Sequence, residues 1–178
     1  MSHLSSLNIT HGQLCARNVV LIDGIKPKVS GFGLSHYHTE FDVPDYRRWS
    51  SPEKLRSKIS NSQIDVWSFG CLAWESVTLG GTPYPDVRTD EITTRIVRGL
   101  RLPQPQYIGD ELYQIMLYCW QNDPAERPAF TELESMIKAL VTDDVTPHLL
   151  FSLYPSFQYE LYASHLESLD WLYFMLKV

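Results

Sequence analysis

The chain has 178 residues, of which 44% are hydrophobic and 20% charged, enough for one domain around a single core and unlike the composition of a disordered segment. Its formal net charge of -6, from 21 Asp and Glu against 15 Lys and Arg, argues against a large basic footprint for nucleic acid or anionic lipid. No stretch reaches the roughly 18 to 20 consecutive apolar residues of a membrane span, and the N-terminal Met1 to Ser6 lacks the basic and apolar regions of a signal peptide, so a soluble chain is expected.

In chain order, the first regular elements are a strand pair. Val19-Val20-Leu21-Ile22 and Lys28-Val29 flank Asp23-Gly24, a strong turn signal, and predict a short hairpin in which Pro27 confines the second arm to an edge or to its first position. Asn18 and Gly31 then lie at the two open ends of that hairpin, close together. Gly33 to Ser51 has no sustained period and reads as a loop. A helix is predicted near Pro52, because proline is accepted in a first turn and Glu53 follows where negative charge opposes the helix dipole favourably.

The next helix is better specified. Ser60-Asn61-Ser62-Gln63 is a capping signal, and Ile64 to Trp74 carries apolar groups on nearly every face, which predicts a helix in the middle of a helical domain. Gly80-Gly81-Thr82-Pro83-Tyr84-Pro85 ends it in a rigid loop. Further helices are predicted at about Thr89 to Arg98, Asp110 to Gln121 and Thr131 to Leu140, with Leu112, Ile115, Met116 and Cys119 marking the core face of the second. After Val141 the pattern weakens. The tail 141–178 holds a candidate amphipathic helix rich in aromatic residues, among them Trp171, Tyr173 and Phe174, which either packs on the domain or forms an exposed docking surface. The three cysteines, Cys15, Cys71 and Cys119, fit no metal-ligand spacing and read as reduced thiols in a packed intracellular core.

Several short motifs stand in a recognisable order. His11-Gly12-Gln13-Leu14-Cys15-Ala16-Arg17-Asn18 resembles the catalytic loop of a protein kinase in its tyrosine-kinase form, and Arg48-Trp49-Ser50-Ser51-Pro52-Glu53 is similar to the end of an activation segment. Asp65-Val66-Trp67-Ser68-Phe69-Gly70, Gly81-Thr82-Pro83-Tyr84-Pro85, Cys119-Trp120 and Arg127-Pro128-Ala129-Phe130 resemble the later signatures of the family, over about residues 3 to 140. The resemblance implies a partial protein kinase-like fold: a mainly α-helical large lobe with a short β-hairpin beside the catalytic loop. In that reading residues 1–140 form the partial lobe, with the catalytic loop at 11–18 and the activation segment at 31–53, and 141–178 form the tail. The resemblance also gives structural meanings to retained residues. His11 and Phe32 would stack in the spine beneath the site, Val20 would lie under an adenine ring, Asp65 would hold the loop backbone, and Glu53 would pair with a buried Arg127.

Chemistry sets this chain apart from an active member. Phosphoryl transfer depends on a carboxylate at the acceptor hydroxyl and another on magnesium. At the first position stands Gln13, whose neutral amide cannot act as a carboxylate base; at the second stands Gly31, with no side-chain oxygen at all. Arg17 is retained in the loop. Asn18 remains as a metal ligand candidate, but one neutral amide replaces an anionic oxygen poorly. Gly12 removes the arginine that many kinases use to grip a phosphorylated segment. Tyr37 and Tyr46 are candidate phosphosites without that partner, and Arg47 and Arg48 are the local cations that could meet a phosphate.

No Gly-rich phosphate loop and no lysine–glutamate pair of a small lobe precede His11, so by resemblance the chain begins near the end of the helix before the catalytic loop. The helix Ile64 to Trp74 is then expected to be partly exposed. The reading that follows is a receptor-type pseudokinase, a catalytically inactive scaffold or regulatory domain that binds signalling proteins or an active kinase. No cofactor is expected for this chain, with ATP and magnesium only if residual activity exists. Placement is expected in the cytoplasm, or in the cytoplasmic part of a membrane receptor. Two alternatives stay open: a weak tyrosine kinase needing a small lobe, and a truncated product with little independent function.

Overall fold

The computed structural model describes residues 1–22, 26–31, 46–57 and 61–142. The expectations placed on the Asp23-Gly24 turn, on Phe32, Gly33 and Tyr37, and on the aromatic tail beyond residue 142 lie outside them. The described elements are α1 (Ser2–Ser6), β1 (Val19–Ile22), β2 (Lys26–Val29), α2 (Pro52–Ser57), α3 (Ser62–Val77), α4 (Ile92–Val97), α5 (Asp110–Cys119) and α6 (Phe130–Thr142), with short 3-10 turns at Ala16–Asn18, Arg47–Trp49 and Pro124–Glu126.

The strongest local signal and the centre of the fold coincide in α3. Asn61 caps it, its Oδ1 accepting the backbone N–H groups of Gln63 at 3.1 Å and Ile64 at 3.2 Å, so two of the donors that a helix start leaves unpaired are satisfied. Every residue from Ile64 to Glu75 is buried. The expectation of an exposed α3 is therefore corrected. The loop 11–18, the turn Arg47–Trp49 and α5 lie around the helix, and Met1 and Leu14 join its residues in one core cluster.

α5 packs along α3 and buries Leu112, Ile115, Met116 and Cys119, the face its spacing marks. It ends at Cys119, two residues before the expected end. There the Trp120 carbonyl accepts from Arg101 Nε at 2.9 Å and the Gln121 carbonyl from Arg127 Nε at 2.9 Å. Arginine donors thus meet carbonyls that a helix end leaves open. α4 starts at Ile92, later than expected, because Arg88 and Asp90 are joined in a turn ahead of it, with Arg88 Nη2 to Asp90 Oδ2 at 2.8 Å. In α6, Glu132 reaches back to the Ala129 N–H at 2.6 Å and Leu133 and Ile137 face the core.

β1 and β2 form a two-stranded antiparallel sheet in the register Val19↔Val29, Val20↔Lys28, Leu21↔Pro27 and Ile22↔Lys26. Pro27 occupies the second position of β2, where a missing N–H is tolerated because both strands are edges. Val20, Leu21 and Ile22 are 47%, 53% and 46% exposed, so the hairpin is attached at its base and contributes little to the core.

The three cysteines are free and buried. Burial holds their thiols above the ordinary range, and that of Cys119 is pushed up to about 12. They are core residues with suppressed nucleophilicity.

One glycine fixes how closely α3 and α5 approach. A Cβ on Gly70 would stand 2.6 Å from Trp120 Nε1 and 2.8 Å from Cys119 Cβ, both in the packed interior. Gly70→Ala is expected to destabilise the protein by about 1–3 kcal/mol through overpacking, despite its better helix propensity. Chemical denaturation checks this; equal or raised stability in the variant would mean that α5 can move away at no cost.

Candidate functional site

The site is the loop from His11 to Asn18, held from beneath by α3. Asp65, near the start of α3, accepts the His11 N–H at 2.7 Å on Oδ2 and the Gly12 N–H at 2.8 Å on Oδ1. Glu75, ten residues further along the same helix and so about 15 Å along its axis, accepts the Ala16 N–H at 2.9 Å. Burial pushes both carboxyl groups above their ordinary range, and the loop N–H donors act against that push. Two carboxylates on one rigid helix thereby fix both ends of the loop.

His11 is a structural element of the same turn. Its Nδ1 accepts the Gln13 N–H at 3.1 Å and its Nε2 lies 2.8 Å from the Ser30 carbonyl. Those partners assign the proton to Nε2. The ring links the loop to the end of β2, and Ser30 N–H to the Asn18 carbonyl at 2.8 Å closes the hairpin base.

This closure brings Asn18 and Gly31 together. Asn18 is buried, and its Nδ2 donates to the Gln13 carbonyl at 2.7 Å. Gly31 adopts φ +81, and a Cβ built there would meet Asn18 Cγ and Oδ1 at 3.0 Å and Nδ2 at 3.3 Å. The amide of Asn18 therefore fills the space beside Gly31 that any side chain at that position would enter. Gln13 is buried, Arg17 is exposed, and Val20 lies on the exposed part of β1.

The segment following Tyr46 is anchored independently. Arg48 donates from Nη1 to the Pro83 carbonyl at 3.0 Å and to the Tyr84 carbonyl, and from Nη2 to the Val87 carbonyl at 2.8 Å. The expectation that Arg48 serves as a local cation for phosphate is corrected: its guanidinium is engaged with the loop 83–87. Glu53 and Arg127 form a bidentate pair, with Nη1 to Oε1 at 2.7 Å and Nη2 to Oε2 at 2.8 Å. The Arg127 side chain is 0% exposed and that of Glu53 14%. Arg127 also donates to the Gln63 carbonyl at 2.9 Å and lies over the Trp67 ring, 5.1 Å from its centroid. It is thus the joint between α2, α3 and the end of α5.

Sequence reasoning missed Glu75 and Lys54. A carboxylate directly after the apolar run Cys71 to Trp74, still inside the helix, is the signal that points to Glu75. Lys54 has no such signal, since it follows Glu53 in a short polar helix and its partner is far away in the chain.

A helical lobe built on one buried central helix, with a hairpin beside a carboxylate-held loop, is a partial protein kinase fold. The chain matches the family model described as protein tyrosine and serine/threonine kinase over residues 1–137, and it belongs to that family. It is 40% identical over 155 residues to mouse vascular endothelial growth factor receptor 1, covering 82% of this chain and 12% of that one. The human protein of that name is 41% identical over 155 residues, covering 82% and 11%. The Drosophila melanogaster tyrosine kinase receptor Cad96Ca is 38% identical over 148 residues, covering 79% and 19%. The chain thus spans 11% to 19% of the length of these curated relatives. Among the described residues, no helix is long and apolar enough to cross a membrane.

The Glu53–Arg127 pair gives a stability test with a definite sign. Burial, the largest single influence, would raise the Glu53 carboxyl, but the hydrogen bonds from Arg127, from the Glu53 backbone and from Ser51, with the Arg127 charge, together outweigh it and hold the group below its ordinary range. A depressed carboxyl stabilises the fold above its unfolded pKa, and that stability is lost as pH falls through the folded value. Glu53→Gln is expected to cost about 3 kcal/mol near neutrality. The gap to wild type should narrow as pH falls below about 4, the ordinary glutamate range. Asp65 and Glu75, with raised values, change stability in the opposite sense, so the variant is the proper reference. Urea unfolding across this range decides it, and a pH-independent gap would contradict the assignment.

Proposed function

We propose that this chain is a catalytically inactive tyrosine-kinase-like scaffold or regulatory domain. The observation that carries the reading is the pair Gln13 and Gly31 at the two positions where phosphoryl transfer needs carboxylates, with the Asn18 amide packed against Gly31 and spent on the Gln13 carbonyl. Magnesium, which kinase chemistry implies, does not fit this donor set. Asn18 offers a neutral oxygen, Gly31 offers none, and the Asp65 carboxylate is given over to the loop N–H groups. Among the described residues no group of three His, Cys, Asp or Glu side chains is placed to hold a metal ion.

What is retained supports the same reading. Asp65, Glu75, Glu53 and Arg127 keep the loop and α2 in place, which serves shape without requiring turnover. The proposed partners are signalling proteins or an active kinase, and the proposed location is the cytoplasm or the cytoplasmic part of a membrane receptor, as the receptor relatives suggest. Tyr46 remains a proposed phosphosite; Tyr37 is proposed on its sequence position alone.

A weak tyrosine kinase that needs a small lobe is the second reading, favoured by the receptor tyrosine kinase among the relatives and by the retained Arg17 and Asn18. Calorimetric titration of ATP, with and without magnesium, into the folded monomeric chain tests the two. The expected result is no saturable heat in either case. Saturable binding strengthened by magnesium would overturn the scaffold reading, as would stoichiometric transfer from ATP to a tyrosine peptide by a longer protein that includes a small lobe. Gln13→Asp with Gly31→Asp is expected to leave the titration flat, because the new side chain at Gly31 runs into Asn18.

A further inference from the structure

One cation is folded inward against the loop. Lys54, the third residue of α2, donates from Nζ to the Gly12 carbonyl. The Gly12 N–H goes to Asp65 Oδ1 at 2.8 Å. Gly12 therefore has its N–H held by an anion from α3 and its carbonyl held by a cation from α2. A lysine stem is long and flexible enough to carry its ammonium to solvent when nothing holds it. Here burial disfavours the charged amine, and the Asp65 carboxylate acts in the other direction. The inward position is thus maintained against a desolvation cost by the Gly12 carbonyl and Asp65.

We propose that Lys54 is the positioning residue of the loop 11–18: from α2 it supplies the positive charge that Gly12 does not carry, and it ties the end of the activation segment directly to the loop backbone. The tie is made by a side chain of the chain itself, with no modification required. It is closed without a phosphate on Tyr37 or Tyr46, so loop and α2 behave as one unit. The proposal concerns shape and coupling and holds for an inactive or an active protein alike.

Amide hydrogen exchange on the 178-residue chain tests it. In Lys54→Met, exchange at residues 11–13 and in α2 should rise together by about tenfold, the effect of a local opening, while α5 and α6 keep their protection. Lys54→Arg should restore most of the protection, and Arg56→Met, which alters an exposed neighbour, should leave the loop as in wild type. Unchanged loop exchange in Lys54→Met would overturn the proposal. So would an equal rise in α5 and α6, which marks general loosening. If Lys54→Met does not fold, amine acylation of the wild-type chain decides instead. Lys54 should react about tenfold or more slowly than exposed Lys28 in the native state and at the same rate in urea; equal native rates would overturn it.

Discussion

The helix α3 can be buried on all sides only because the polar groups it carries inward are matched by backbone. Asp65 and Glu75 are costly inside a protein, and burial raises both carboxyl groups. Each is placed where the loop 11–18 presents N–H groups that no secondary structure satisfies. The exchange is mutual. The loop gains a fixed backbone without being a helix or a strand, and the helix gains acceptable partners for charges it would otherwise have to expel. His11, Asn18 and the hairpin base then follow, because their hydrogen bonds start from a loop already held at both ends.

Arg127 performs the same service one layer away. Its guanidinium reaches Glu53, the Gln63 carbonyl and the Gln121 carbonyl, which belong to α2, α3 and the chain beyond α5. Arg101 lies over the same Trp67 ring, 4.5 Å from its centroid, and takes the Trp120 carbonyl. Planar cations with several donors suit such junctions, since one group can close several helix ends at once while stacking on an aromatic face. The interior is thus apolar in bulk and ionic at its corners.

How much of this the sequence discloses depends on the range of the interaction. The Asn61 cap, the core face of α5 and the hairpin pairing are local, and residues a few positions apart specify them. The late start of α4 and the early end of α5 depend on Arg88, Arg101 and Arg127 finding partners that propensity does not register. Lys54 and Arg48 lie further still from what sequence reasoning reaches. Arg48 looks like a free cation in a loop, yet the carbonyls of Pro83, Tyr84 and Val87 surround it once α3 and the following loop fold back. For the site itself the residue types at positions 13 and 31 were readable. The closeness of Asn18 and Gly31 follows from the predicted hairpin as well, but the placement of the Asn18 amide in the space beside Gly31 does not, because it depends on the hydrogen bond to the Gln13 carbonyl across the folded loop.

That packing changes what the substitution at Gly31 means. Under the proposed reading, a carboxylate missing at Gly31 is a chemical loss that a side chain restored at that position would, for its own part, repair. In this chain the neighbouring amide has settled into the space, bonded to the Gln13 carbonyl, and the backbone at Gly31 lies at φ +81, where a side chain is strained. Introducing a side chain there would therefore require the Asn18 amide to give way by a few tenths of an ångström and the backbone to accept that strain. Under the proposed reading, Gln13, Asn18 and Gly31 form a mutually adjusted set, and the loop's shape is sustained by contacts that do not depend on the carboxylates phosphoryl transfer needs.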